Sequence, residues 1–143
     1  MVWSCLVSIL PGMAQTEKLT DYVNPFVGTD GYGNVYPGAQ IPFGGIQISP
    51  DTDSRFYDAA SGYKYNHLTL MGFSLTHLSG TGIPDLGDFL FIPGTGEMKL
   101  EPGTHEDPDQ GYRSRYSHDK EWASPNYYAC LLYTSDAADE ARS

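Results

Sequence analysis

Residues 72–88 read GFSLTHLSGTGIPDLGD, gathering an imidazole at His77, hydroxyls at Thr76, Ser79 and Thr81, and carboxylates at Asp85 and Asp88 between glycines. Glycine lets a ligand approach the backbone closely, since it has no Cβ. An ionised carboxylate only accepts hydrogen bonds, so it suits two adjacent hydroxyls of a sugar, each of them a donor. The bland alternative for the same residues is that Asp85 caps a turn and Asp88 opens the next strand. As a glycosidase acid and base the pair is unsuited. Side chains three apart on one loop rarely face each other across a sugar ring at the roughly 6.5–9.5 Å an inverting enzyme requires. A second glycine-rich loop, residues 28–45 (GTDGYGNVYPGAQIPFGG), precedes the first at a distance that a sandwich could close.

Other chemistries fit less well. Gly31-Tyr32-Gly33 begins a dinucleotide fingerprint, but Tyr36 stands where the third glycine belongs, no helical pattern follows, and no Walker lysine is present. His67 and His77 lack an H-E-x-x-H arrangement or cysteine partners, so zinc is weakly supported. Asp51-Thr52-Asp53 offers only part of a calcium loop and reads as a turn. With 18 acidic against 8 basic residues and a net charge of -10, no Lys/Arg surplus exists to displace counterions from phosphates, and nucleic acid is excluded as a partner. A neutral, polyhydroxylated ligand suits that balance better. The 11 tyrosines supply flat faces and hydroxyls that carbohydrate sites use, as ordinary β cores also do.

The elements that must position these loops are strands. No run of ten or more residues keeps a 3.6 period, whereas short apolar or alternating runs lie between Gly, Pro and Asp punctuation, so the chain reads as all-β. Strands are expected over residues 45–49, 68–78, 97–100 and 112–118 and from Tyr127 onward. The run 89–92 (FLFI) reads as a strand buried on both faces. His77 would share a face with Met71, Phe73 and Leu75. Residues 50–53 are expected to turn, and residues 101–110 (EPGTHEDPDQ) to form an exposed loop that cannot pack as core. At 143 residues the chain has room for one domain with a real core, and the strand spacing points to a sandwich.

Both ends carry separate signals. Residues 1–14 are largely apolar and end in Gly12-Met13-Ala14, which reads as the remnant of an export signal cleaved after Ala14; a charged n-region is missing, and the alternative is a buried N-terminal segment. No stretch approaches the ~20 apolar residues of a transmembrane segment. Cys5 and Cys130 do not make a disulfide framework. Residues 130–140 (CLLYTSDAADE) match the translation of a transposase sequencing adapter, so residues 130–143 are expected to be read-through.

Several motifs converge on one family. Asp21-Tyr22-Val23-Asn24-Pro25-Phe26-Val27-Gly28-Thr29, Tyr36-Pro37-Gly38-Ala39, Gln47-Ile48-Ser49-Pro50-Asp51-Thr52 and His77-Leu78-Ser79-Gly80-Thr81-Gly82 with Asp85-Leu86-Gly87-Asp88 closely resemble the N-terminal domain of glycoside hydrolase family 92. His118-Asp119-Lys120-Glu121 and Ala123-Ser124-Pro125 also look like that family. The resemblance runs over residues 19–129.

It implies the N-terminal β-sandwich of an exported, calcium-dependent, inverting exo-α-mannosidase acting on mannose-rich glycans, periplasmic or at the cell surface of a bacterium. The rest of such an enzyme is an (α/α)6 barrel that carries the general acid, the general base and the Ca2+ ligands. The first domain lends loops to the pocket wall. The resemblance therefore assigns no catalytic or metal-binding residue to this chain, and it implies substrate contacts at His77, Thr81, Asp85 and Asp88. Ile83-Pro84 departs from the family pattern, as does Cys130, which replaces an apolar strand residue. The competing reading is a free-standing carbohydrate-binding module, which would bind sugar without a barrel.

Overall fold

Pro125 and Asn126 turn the chain between its two longest strands, and the turn chemistry explains why. Proline fixes a negative φ at the first turn position, and Asn34 is the one non-glycine with positive φ among the described residues. The connection is thus not one of the primed hairpin turns that need positive φ. The computed structural model describes residues 17–40, 43–53, 57–80, 82–85 and 87–133. The export signal expected over residues 1–14 lies outside them, as do Thr81 and most of the expected read-through.

Six strands are described: β1 Ser49–Asp51, β2 Thr69–Leu70, β3 Gly72–Ser74, β4 Leu90–Phe91, β5 Ser114–Ser124 and β6 Tyr127–Tyr133. They form two three-stranded antiparallel sheets, ordered β1-β3-β4 and β2-β5-β6. Among the described residues the helical content is three short 3-10 turns at Leu19–Tyr22, Tyr57–Ala59 and Pro108–Gln110. The all-β reading therefore holds.

Register within the long hairpin is broken once. Ser124 pairs with Tyr127 and Glu121 with Cys130, but Tyr116 pairs with Leu132, so five steps on β5 oppose two on β6. Such an irregularity bends a strand and re-aims its side chains. Here it brings His118 back onto Glu121, with Nδ1 2.6 Å from Oε2. β6 itself runs through position 130 without interruption.

The core is small and aromatic. Tyr63, Leu70 and Tyr116 are buried together, with Phe26, Tyr36, Phe73, Cys130 and Leu132 packed against them. A buried phenol must find a partner for its hydroxyl. Tyr116 donates to the carbonyl of His67 at 2.9 Å, and Tyr63 to Glu121. Phe73 of one sheet meets Tyr128 of the other edge-on, with ring centroids 6.0 Å apart.

Several expectations need correction. The alternating run 68–78 is not one strand: β2 and β3 belong to different sheets, and the chain crosses between them at Met71-Gly72. Gly72 is required there because a Cβ would lie 2.8 Å from the carbonyl oxygen of Phe91. Pro50 and Asp51, read as a turn, continue β1, and Asp51, Thr52 and Asp53 are all buried. The run 89–92 is not buried on both faces. Only Leu90–Phe91 forms a strand, at the sheet edge, and both side chains stay exposed, Phe91 to 59%.

No strand forms over residues 97–100. Residues 101–110 do pack in part. Tyr112 N donates to the carbonyl of Glu101 and Arg113 N to that of Pro102, closing the loop at its base, and Pro108 is buried. His105 reaches inward to Thr69, its Nδ1 2.7 Å from Oγ1, and lies 3.3 Å from an Asp53 oxygen.

Candidate functional site

The two glycine-rich loops meet. Gly80 N donates to the carbonyl of Asn34 at 2.6 Å, and the Tyr36 ring packs on the His77 imidazole with centroids 5.0 Å apart. Asn34 holds a left-handed φ of 48°, which asparagine tolerates better than most residues and which turns its carbonyl into that contact. Tyr57, exposed, flanks Gly82 of the second loop. The proximity expected of the loops is therefore present.

Within the second loop the charges face outward. Asp85 and Asp88 are exposed, and Thr76 donates from its hydroxyl to Asp88 Oδ2 at 2.9 Å. Gly87 N also donates to the carbonyl of Thr76, so the chain on either side of the carboxylates is tied back to the end of β3. An oriented, solvent-facing carboxylate of this kind can accept from hydroxyl donors.

His77 is placed differently. It is 6% exposed, and both ring nitrogens are engaged inside the protein. Nδ1 lies 2.7 Å from the carbonyl of Gln47, while Nε2 lies 2.8 Å from Asp51 Oδ1 and 2.9 Å from Ser74 Oγ. Asp51 and Ser74 are themselves buried on paired strands. Serine, histidine and aspartate thus come together, but not as a nucleophilic relay. That relay needs the acid on one ring nitrogen and the hydroxyl on the other. Here both share Nε2, out of reach of a substrate.

A second buried acid lies in the other sheet. Glu121 accepts from the Tyr63 hydroxyl at 2.9 Å and from the Tyr128 hydroxyl at 2.5 Å, and His118 completes the set. Burial pushes all three neighbouring phenols, Tyr63, Tyr116 and Tyr128, well above the usual tyrosine range. Burial also pushes the Cys130 thiol up to about 11, against a hydrogen bond from Tyr128 that lowers it. Groups held this firmly protonated are structural partners, not proton donors at neutral pH.

The sequence offered His77, Thr81, Asp85 and Asp88 as sugar contacts; the structure leaves Asp85 and Asp88 exposed and buries His77 against Asp51, Gln47 and Ser74, which the sequence did not indicate. No local signal marks them, because β1 and β3 meet only through strand pairing, Ser49 with Ser74 and Asp51 with Gly72. A cavity of about 420 Å³ lies elsewhere, lined by residues 92–99, Asp109 and 111–114, and its described lining includes none of His77, Asp85 and Asp88. Among the described residues no group of three or more His, Cys, Asp or Glu side chains could hold a metal ion. No helix among them is long and apolar enough to cross a membrane.

Comparison with known proteins adds a family to this geometry. A family model for the glycosyl hydrolase family 92 N-terminal domain matches residues 22–140. An uncharacterized secreted glycosidase of Arthroderma benhamiae is 36% identical over 73 residues, covering 50% of this chain and 9% of the relative. The solved structure of the family GH92 alpha-mannosidase BT3965 from Bacteroides thetaiotaomicron, in complex with mannoimidazole, is 98% identical, with a TM-score of 0.79 over 81% of this chain and 15% of that one. The inverting mannosidase BT2199 of Bacteroides thetaiotaomicron VPI-5482 is 25% identical, with a TM-score of 0.54 over 82% of this chain and 16% of its own. The chain therefore spans less than a fifth of the length of these relatives.

Proposed function

Because this chain belongs to glycosyl hydrolase family 92, as its N-terminal domain, we propose that it builds one wall of the sugar pocket of an exported, inverting α-mannosidase acting on mannose-containing glycans, and that alone it hydrolyses nothing. The observation that carries this reading is the junction of the two glycine-rich loops, with Asp85 and Asp88 exposed beside it. Mannose is neutral and rich in hydroxyl donors, so acceptor-only carboxylates on a glycine-bordered loop complement it. The similarity to a mannosidase that binds mannoimidazole supports the choice of sugar.

Asp85, Asp88 and Thr81 are the proposed contacts, with His77 behind them. No acid and base pair of suitable separation is assigned here, and the acid and base are proposed to come from the remainder of such an enzyme. Among the described residues no three His, Cys, Asp or Glu side chains come together as metal ligands, so these side chains offer calcium no carboxylate cluster. The ion is proposed to be held elsewhere in the whole enzyme, and no step is routed through it.

The test is a graft. Residues 19–129 replace the matching segment of the Bacteroides thetaiotaomicron alpha-mannosidase, and hydrolysis of an aryl α-mannoside is followed. Asp85→Ala and Asp88→Ala are expected to raise KM by about tenfold or more, the loss typical of a hydrogen bond to a charged group. Unchanged kinetics in both variants would remove the wall assignment. The isolated chain is expected to be inactive, and turnover there that Asp88→Ala abolishes would overturn the reading outright. Isolated-chain affinity for mannose equal to that of the graft would favour the free-standing binding module instead.

A further inference from the structure

We propose that His77 is a positioning residue, with Asp51 as its anchor, and that the pair fixes the second glycine-rich loop against the first. The inference rests on the wall reading above, and its geometry is independent of it. Four separate segments converge on one buried imidazole: Gln47 before β1, Asp51 in β1, Ser74 in β3 and Tyr36 in the first loop. The His77 backbone N–H also donates to Gln47 Oε1 at 3.2 Å, so ring and main chain are held by the same neighbour.

Proton placement makes this a directional lock. The Gln47 carbonyl can only accept, so Nδ1 carries a hydrogen. Nε2 faces Asp51 Oδ1 at 2.8 Å and Ser74 Oγ at 2.9 Å, so both strands β1 and β3 hold the second ring nitrogen. Ser49 Oγ and Asp51 Oδ2 are buried with no hydrogen-bond partner, so the imidazole is the neighbour that satisfies this carboxylate among the described contacts. Removing His77 leaves the Asp51 carboxylate buried and unsatisfied, and removing Asp51 leaves Nε2 held by Ser74 alone.

The lock sits immediately before the residues that need it. Three positions beyond His77, Gly80 makes the contact to Asn34, and Thr76 on its other side holds both Gly87 and Asp88. An imidazole freed from Asp51 would release the base of the loop while leaving the β5–β6 hairpin intact. His77 acts on a sugar only through that loop, since the ring has no polar atom left to offer.

The experiment is a double-mutant cycle in the grafted enzyme with His77→Gln, Asp51→Ala and the pair, read by amide exchange and by kinetics. Gly80 and Gly87 amides should exchange about tenfold faster in each variant, with β5–β6 amides unchanged. KM should rise by about the same factor in both single variants, with kcat moved less and the double variant no worse than either single one. Asp51 is buried behind the imidazole and cannot touch sugar, so a KM effect confined to His77→Gln, with exchange unchanged, would overturn the proposal in favour of direct contact. Faster exchange with unmoved KM would uphold the positioning role and overturn the wall reading. If Asp51→Ala does not fold, Ser74→Ala, which removes one contact to Nε2, must show the same pattern at smaller size; no acceleration at Gly80 or Gly87 in that variant overturns the proposal.

Discussion

The hydroxyl of Tyr63 lies 2.9 and 3.1 Å from the two carboxylate oxygens of Glu121, across 58 positions of sequence. The contact joins the segment before β2 to the middle of the β5–β6 hairpin, and it satisfies an acid that is 7% exposed. Tyr63→Phe keeps the ring and removes the donor. It is expected to cost about 1–3 kcal/mol, the range for leaving a buried polar group short of a partner. Urea unfolding followed by Trp fluorescence measures it, and a loss within error of zero would mean that Tyr128 and His118 satisfy the acid alone.

His105 should make stability pH-dependent. Burial, then the charge of Arg113, holds its imidazole below the ordinary histidine value of about 6.5, with Asp53 opposing. The unfolded chain therefore takes up a proton at a pH where the folded chain does not, so stability rises with pH in that window. The contribution is complete above about pH 6.5 and is lost progressively as the pH falls below it. Urea midpoints measured across that window should fall with acidification in the parent chain and fall less in His105→Asn.

Cys130 should be a slow nucleophile. With its thiol pushed up to about 11 from 9.0, mainly by burial, the thiolate fraction at neutral pH is about a hundredfold below that of an ordinary cysteine. Alkylation by iodoacetamide in a Cys5→Ser background should be slower by at least about that factor than in the urea-unfolded chain. Because the unfolded thiol ionises first, the fold should also lose stability as the pH climbs from 9.0 toward about 11.

Gly62→Ala tests the packing around the His77 anchor. Gly62 has a φ of +88°, and a Cβ there would run into Asp51 Oδ1 and meet His77 Cδ2 at 3.0 Å. Backbone strain and the clash act together, so a loss of more than about 2 kcal/mol is expected. The same variant should accelerate exchange at Gly80, which distinguishes a disturbed anchor from simple strain.

How much of this was legible in the chain depends on range. Turn punctuation around short apolar runs was enough for an all-β fold, because strand ends are set by local residues. The loop pair was legible too, since glycines and outward-facing acids declare themselves locally. What failed was everything decided by pairing. The alternation through residues 68–78 continued smoothly in sequence while the chain changed sheets at Met71-Gly72, and period-2 patterning carries no mark of which sheet a strand joins. Leu90-Phe91 read as doubly buried because apolar side chains alone cannot show that one edge stays unpaired. Asp51 read as a turn residue because its burial comes from Gly72, Ser74 and His77, all of them more than 20 positions away.

The crossing at Met71-Gly72 has a consequence for how the domain assembles. Six consecutive residues, 69–74, supply an outer strand to one sheet and the middle strand to the other. A slip of one residue in either ladder would drag the other out of step, so the two registers are chosen together or not at all. That makes this short segment the covalent link through which the registers of the two sheets constrain each other.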